Sequence, residues 1–465
     1  MSSTEMDGFI GCVLAAESVT DSTTILHGPF ACRMFMSLAS ERYIKRKYET
    51  REGDFFFHFS RIPCTSTDKD DYIFGASKKV AMIMDILEQD ETGFATIVQS
   101  PGAALIGDKL KDEVLAKGLD GKTLVIDSSF MSEKFSLGFD TTLTKMAEKL
   151  AKPSSKRRMT ANIIGLPFTS RGYHRMLEEL RKALSSIGIE VIAAIGAGCS
   201  LEEFSRSSEA EFNVCIHPEY CRMLSKHYEH VLGIPTIVSD MGAPIGYRSM
   251  RSFISNIAEH FGTDPSPVLE ALSKDEESVK GAMESSVGQA DYMNYKTFSI
   301  EGESSLVYPL ADFLIRFLKM YPKSISLTES DPVFEEKIRK MLEKIGCEQA
   351  LDEEFGSGYT NVLFGPGSFV KLLEKQGSCA LGVDIAMPSR DQIDIAPKSV
   401  MGLEGLHRML DDVLNARRRR EFSLGRGSRP GPLPSRSAGR PRCRRASRAD
   451  CPRTRPPRRT LHTPT

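Results

Sequence analysis

The chain has 465 residues, 40% of them hydrophobic and 26% charged, so it can bury a sizeable core and is too long for one ordinary domain. No apolar run approaches the ~18–20 residues that span a bilayer, and no charged-then-apolar leader opens it, so a cytoplasmic protein is expected. The net charge of −1 conceals a split: residues 417–465 hold sixteen Arg, two acidic residues and no Lys, while the other 416 hold 45 basic and 60 acidic groups. Neither a membrane nor a nucleic acid is an expected partner of that acidic body.

In chain order, FIGC delivers Cys12, ILHGPFACR (residues 25–33) delivers Cys32 just past a His-Gly-Pro turn, and RIPC delivers Cys64. Proline holds its own φ at about −65° and biases its predecessor away from helix, while Gly28 allows close backbone approach. The turn therefore sets the direction of Cys32. Then come the helical run SKKVAMIMDILEQ, the strands TGFATIVQS and KTLVIDSS, and the helix TTLTKMAEKLAK. After a break at residues 151–159, TANIIGLPF, IEVIAAIGAG, EFNVCIHP and IPTIVSD read as short β-branched strands. YHRMLEELRKALSSI and EYCRMLSKHYEHVL read as helices among them. A second break at residues 289–296 precedes TFSIEGESSLVYPLADFLIRFL, VLFGPGSFVKLLEK, CALGVDIAMP and the closing helix GLEGLHRMLDDVLN.

This rhythm predicts an α/β fold of three tandem doubly wound (Rossmann-like) parallel-sheet units, with ligands at the carboxyl ends of strands. The expected units are residues 1–155 with the three cysteines, 156–290, and 291–416 with the closing helix. Residues 417–465 are rich in Arg, Pro, Ser and Gly and cannot bury enough surface to offset ordering entropy, so a disordered tail is expected there. Its sudden lack of lysine reads as an out-of-frame or non-native extension ahead of a basic interaction arm.

Ready-made motifs are few. No GxxxxGK[ST] occurs, so no nucleotide is expected to bind through a P-loop, and HExxH, CxxC and GxSxG are also missing. IGAGC lacks the third glycine of a dinucleotide fingerprint and reads as a tight strand-to-helix turn. Ten cysteines in a cytosolic setting favour buried thiols plus a metal or redox site over a disulfide framework. Cys12, Cys32 and Cys64 lie 20 and 32 positions apart, which suits separate loops converging on an iron–sulfur cluster better than the paired cysteines of most zinc sites.

The order GC, LHGPFACR, STDKDDYIFGASKKV and VQSPGAALIGDKL resembles the N-terminal unit of the nitrogenase component 1 superfamily. ANIIGLPF, GIEVIAAIGAGCSLEEF, AEFNVCIHPEY and YEHVLGIP resemble its second unit, and GLEGLHRMLDDVLN its closing helix. The resemblance covers nearly all of residues 8–416. It implies that Cys12 and Cys32 hold an iron–sulfur cluster at a subunit interface. The family's third cysteine falls on Pro101, and Cys64 is the substitute. Three thiolates with one outside ligand imply a 4Fe–4S cluster in place of the eight-iron cluster of nitrogenase.

By the same resemblance, the two ligands of the nitrogenase cofactor fall on His217 and Met401, with Cys215 and Cys221 flanking the first, so a molybdenum nitrogenase is not expected. His217 is the candidate for substrate contact or proton donation. The implied function is the catalytic component of an anaerobic, nitrogenase-like oxidoreductase reducing an unsaturated, tetrapyrrole-like molecule. Its implied partners are a related component 1 subunit, as homodimer or heterodimer, and a transiently docked P-loop ATPase reductase. A non-catalytic scaffold for metallocofactor assembly is the alternative, and a redox-inert binding module a third.

A chain cut after Ala416 is expected to fold and dimerise as the full chain does. Size-exclusion chromatography and a melting curve check this, and an insoluble or monomeric product contradicts it.

Overall fold

The computed structural model describes residues 6–41, 62–89, 93–127, 130, 132–287, 296–390 and 398–424. Most of the expected tail, from residue 425 onward, and most of the second expected break lie outside the described residues.

Eleven strands form three sheets among the described residues, and every pairing is parallel. The first sheet holds β1 (Thr23–His27), β2 (Ala95–Gln99) and β3 (Thr123–Ile126), in that spatial order. The second holds β4 (Thr160–Ile164), β5 (Glu190–Ala194), β6 (Phe212–Cys215) and β7 (Thr236–Val238), in the order β5-β4-β6-β7. The third holds β8 (Thr297–Gly302), β9 (Tyr321–Leu327), β10 (Thr360–Gly365) and β11 (Cys379–Asp384), in the order β11-β10-β8-β9. This is the α/β architecture expected from the alternating pattern.

Strand order reverses between β4 and β6 and again between β8 and β10. Such switch points open crevices at the carboxyl ends of the strands. Strands of the first sheet are buried along their whole length, as helices on both faces demand, and this explains why they carry no alternating charged face. A single apolar cluster runs from Phe9 and Phe139 through Ile164 and Phe253 to Phe298 and Leu410. All three sheets thus share one core.

Two helix contacts tie the first sheet to its neighbours. Helix Gly8–Glu17 is buried along nearly its whole length against helix Phe135–Leu150. Backbones touch there: a Cβ on Gly11 would lie 2.2 Å from the Phe135 carbonyl oxygen, and one on Gly138 would lie 1.9 Å from that of Gly8. From the same long helix, Asp140 accepts the Met223 and Leu224 N–H groups at 2.7 and 3.0 Å, capping helix Arg222–His230 beside the second sheet. The closing helix spans Gly402–Leu424, so a cut after Ala416 falls inside it.

Gly138→Ala should destabilise the chain by about 1–3 kcal/mol or more, because the added methyl has only backbone to displace. Gly121→Ala, which meets open space, serves as the control. Urea unfolding midpoints compare the two, and equal midpoints contradict the close-packed crossing.

Candidate functional site

The first place of interest is the carboxyl end of β1. The segment around Cys64 lies alongside β1 through a parallel bridge between Leu26 and Cys64. Leu26 N–H donates to Pro63 O (2.8 Å), Thr65 N–H to Leu26 O (3.1 Å) and Thr67 N–H to Gly28 O (2.9 Å). The His27 ring locks this arrangement. Its Nε2 lies 3.1 Å from Asp108 Oδ2 and its Nδ1 3.1 Å from Thr65 Oγ1. Asp108 also accepts the Ala76 N–H, and Thr65 Oγ1 accepts the Gly28 N–H at 3.0 Å. Burial lowers the His27 pKa against the pull of Asp108, so the ring is neutral, donating from Nε2 and accepting at Nδ1. Gly28 is required on steric grounds, since a Cβ there would sit 2.3 Å from Ser100 Oγ.

This clamp brings two of the three candidate thiols together. Cys32 sits in the first turn of helix Phe30–Glu41, its N–H donating to Pro29 O at 3.1 Å. Cys64 Sγ lies 3.1 Å from Gly28 O and 3.9 Å from Pro29 O, and Ser66 N–H donates to it at 3.3 Å. Both thiols are half-buried. Burial raises the pKa of each; the charge of Cys64 adds to the rise at Cys32, while Ser66 and Arg33 oppose it at Cys64.

Cys12 is held differently. It lies inside helix Gly8–Glu17, fully buried, where its thiol donates to Gly138 O at 3.4 Å and burial pushes its pKa up to about 12. The expected three separate loops are therefore a buried helix, a helix start and a bridged strand segment. The apolar run GFIGCVLAAE favours the helix, because it can be covered on every side. Among the described residues, no three His, Cys, Asp or Glu side chains gather closely enough to hold a metal ion. Cys32 and Cys64, near enough for the charge of one to act on the other, fit an iron–sulfur group as soft donors with an N–H on one sulfur. The Cys12 thiol, turned into a helix crossing, fits only after a change of direction.

Apolar side chains are exposed around the pair. Phe30 and Phe35 share the Cys32 helix, Ile73 and Phe74 follow the Cys64 segment, and Leu105 follows β2, at 54–86% exposure. Arg33 stacks over the Phe30 ring at 4.4 Å. Single exposed apolar residues are ordinary, whereas a group beyond the carboxyl ends of one sheet is a candidate interaction surface.

The second place lies at the carboxyl ends of the third sheet. A cavity of about 110 Å³ is lined by Glu303, Tyr220, Phe135, Lys134, Met387 and Arg390, among others. Tyr220 Oη lies 2.9 Å from Glu303 Oε1 and 2.7 Å from Met387 O. Burial pushes the Glu303 pKa up to about 8, so at neutral pH it is mostly a carboxylic acid. Glu219, close by, is satisfied by Ser304 Oγ, Ser305 N–H and Ser305 Oγ at 2.6–2.9 Å, yet burial still raises its pKa.

His217 stands behind this group. It is fully buried, with Nδ1 2.8 Å from Ser305 Oγ and, among the described residues, no partner for Nε2. Burial lowers its pKa to about 3, so it stays neutral throughout the physiological range. The imidazolium that would make it a ready proton donor does not form. Met401 is buried too, and Cys215 and Cys221 face each other with their sulfurs 3.3 Å apart. Sequence reasoning missed Glu219, Tyr220 and Glu303; the only signal was an acidic residue within a few positions of a strand end, in SIEGE and in IHPEY.

The family model of the nitrogenase component 1 type oxidoreductases matches residues 8–417. One subunit of the light-independent protochlorophyllide reductase of Methylobacterium sp. (strain 4-46) is 31% identical over 178 residues, which cover 36% of this chain and 34% of that protein. The same subunit of the Dinoroseobacter shibae enzyme is 25% identical over 259 residues, covering 55% and 47%. The chain thus spans about a third to a half of the length of the curated relatives it matches. The solved structure described as nitrogenase Cp1 at pH 6.5 superimposes with a TM-score of 0.71 at 15% identity, covering 92% of this chain and 96% of that one. At that identity the likeness is one of fold.

Glu303 gives a pH test. Its folded pKa is raised, so the stability it contributes is full below its unfolded value of 4.5 and is lost as pH rises through about 8. Glu303→Gln stays neutral at every pH. Relative to the parent chain it should therefore gain a few degrees in Tm between pH 5 and pH 9, as roughly 1 kcal/mol or more moves the midpoint. A constant difference across that range contradicts a buried acid at this position.

Proposed function

The chain belongs to the nitrogenase component 1 type oxidoreductases, and from that premise we propose that it is the catalytic, iron–sulfur-dependent component of a nitrogenase-like oxidoreductase. The observation that carries the proposal is the meeting of Cys32 and Cys64 at the clamped end of β1, with Ser66 N–H on the Cys64 sulfur. A 4Fe–4S cluster is the proposed cofactor, and when bound it supplies one-electron transfer at low potential.

In this reading Cys32 and Cys64 bind iron as thiolates. Metal binding displaces their protons, and Arg33 and the Ser66 N–H then stabilise the negative sulfur at Cys64. Cys12 is the third proposed ligand and must turn from Gly138 O to serve. The exposed apolar side chains around the pair are the proposed contact with a second component 1 subunit, a copy of this chain or a related one, which would exclude water from the cluster and supply the remaining ligand. Electrons are proposed to arrive from a separate ATP-driven reductase that docks transiently. The relatives named for protochlorophyllide support an unsaturated, tetrapyrrole-like substrate. His217, held neutral, is proposed to position Ser305 and Glu219 and to donate no proton itself.

Protein purified anaerobically, with its partner subunit if it has one, should contain about four irons per cluster and absorb broadly in the visible range. Cys32→Ala and Cys64→Ala should each lose most of that iron, while Cys347→Ala and Cys379→Ala keep it. Cys12→Ala separates a ligand, which loses iron, from a packing thiol, which loses only stability. Full iron in both Cys32→Ala and Cys64→Ala removes the cluster from this end of β1.

A further inference from the structure

We propose that the cavity at the carboxyl ends of the third sheet is a binding site for a small neutral molecule bearing a carbonyl or imine acceptor, to which Glu303 donates its carboxyl hydrogen. Four observations converge on it. Glu303 lines the cavity and is fully buried, and its Oε2 has no hydrogen-bond partner among the described residues. An unpaired buried polar atom is costly, on the order of 1–3 kcal/mol, so a native one calls for a partner that the protein does not supply.

Tyr220 is taken as the donor to Glu303 Oε1, which places the acid hydrogen on the other oxygen. Its single hydrogen has two acceptors in reach, Glu303 Oε1 at 2.9 Å and Met387 O at 2.7 Å. With Tyr220 donating to Oε1, the acid hydrogen resides on Oε2, the oxygen without a partner. Burial keeps that hydrogen in place at neutral pH.

The lining sets the charge of the guest. Lys134 and Arg390 face Glu301 and Glu329 around the cavity, and Lys134 Nζ already lies 3.2 Å from Glu329 Oε2. With Glu303 protonated these charges balance, which favours a neutral guest over an ion. Met6, Phe135, Pro366 and Met387 supply apolar walls on which a flat unsaturated group can rest. The space of about 110 Å³ takes a few heavy atoms, so a larger molecule would enter by one end only.

Among the described residues no cysteine lines the cavity, so the site stands or falls apart from the iron reading. The experiment is infrared spectroscopy of the full chain, following the carbonyl stretch of a protonated carboxylic acid, with N-methylacetamide as the neutral probe. The parent chain should show the band at pH 6 and lose it with a midpoint near pH 8. Glu303→Gln should lack that band, Glu219→Gln should retain it, and Tyr220→Phe should shift it. N-methylacetamide should move the band to lower frequency and raise its midpoint, whereas equal concentrations of acetate or methylammonium should do neither. A band absent at pH 6, one that survives in Glu303→Gln, or one indifferent to N-methylacetamide overturns the proposal. A larger response to acetate also overturns it, by making the cavity an anion site.

Discussion

One buried imidazole organises the front of this molecule. His27 is bonded at both ring nitrogens, to Asp108 from the turn after β2 and to Thr65 from the segment beside β1. Three pieces of chain far apart in sequence are thereby fixed on one residue. The Gly28–Pro29 turn, the register of the Cys64 segment and the start of the Cys32 helix all follow from it. Removing one partner leaves a buried polar group unsatisfied at a cost of about 1–3 kcal/mol. The approach of Cys32 and Cys64 thus rests on a neutral hydrogen-bond network around His27.

The rest of the fold serves to bring carboxyl ends of strands toward one another. Close helix contact at Gly11 and Gly138, and the Asp140 cap on helix Arg222–His230, hold the first and second sheets together. Tyr220, past the end of β6, then reaches Glu303 at the end of β8 and Met387 beyond β11. The acid cavity and the thiol pair are separate places with different chemistry. One is a partly open cavity of mixed lining around a buried acid; the other lies beside exposed apolar side chains.

Most sheet strands were legible because parallel strands covered on both faces carry β-branched runs, as in ATIVQ, TANII and EVIAA. The strand β9 was not, because YPKSISL carries a proline and a lysine and its flank is partly exposed at the sheet edge. β1 was hidden by its own ending, where the His-Gly-Pro turn drew attention from TTILH. Cys12 reads as a loop residue because cysteine spacing is visible in a sequence and burial is not. Glycine contacts at a helix crossing leave no hydrophobic period, so GFIGC gives no sign that its thiol faces a neighbouring helix. Glu303 was invisible for a related reason: an acid after a strand is ordinary, and only its burial in the folded chain keeps it protonated.

The central claim is that the His27 clamp, and not cysteine content alone, prepares this chain to hold iron. Asp108→Ala tests it most directly, because Asp108 is not one of the proposed ligands. The variant should remain folded by circular dichroism, with a lowered midpoint, and after anaerobic reconstitution with iron and sulfide should retain as little iron as Cys32→Ala. Full iron retention in folded Asp108→Ala would contradict the account.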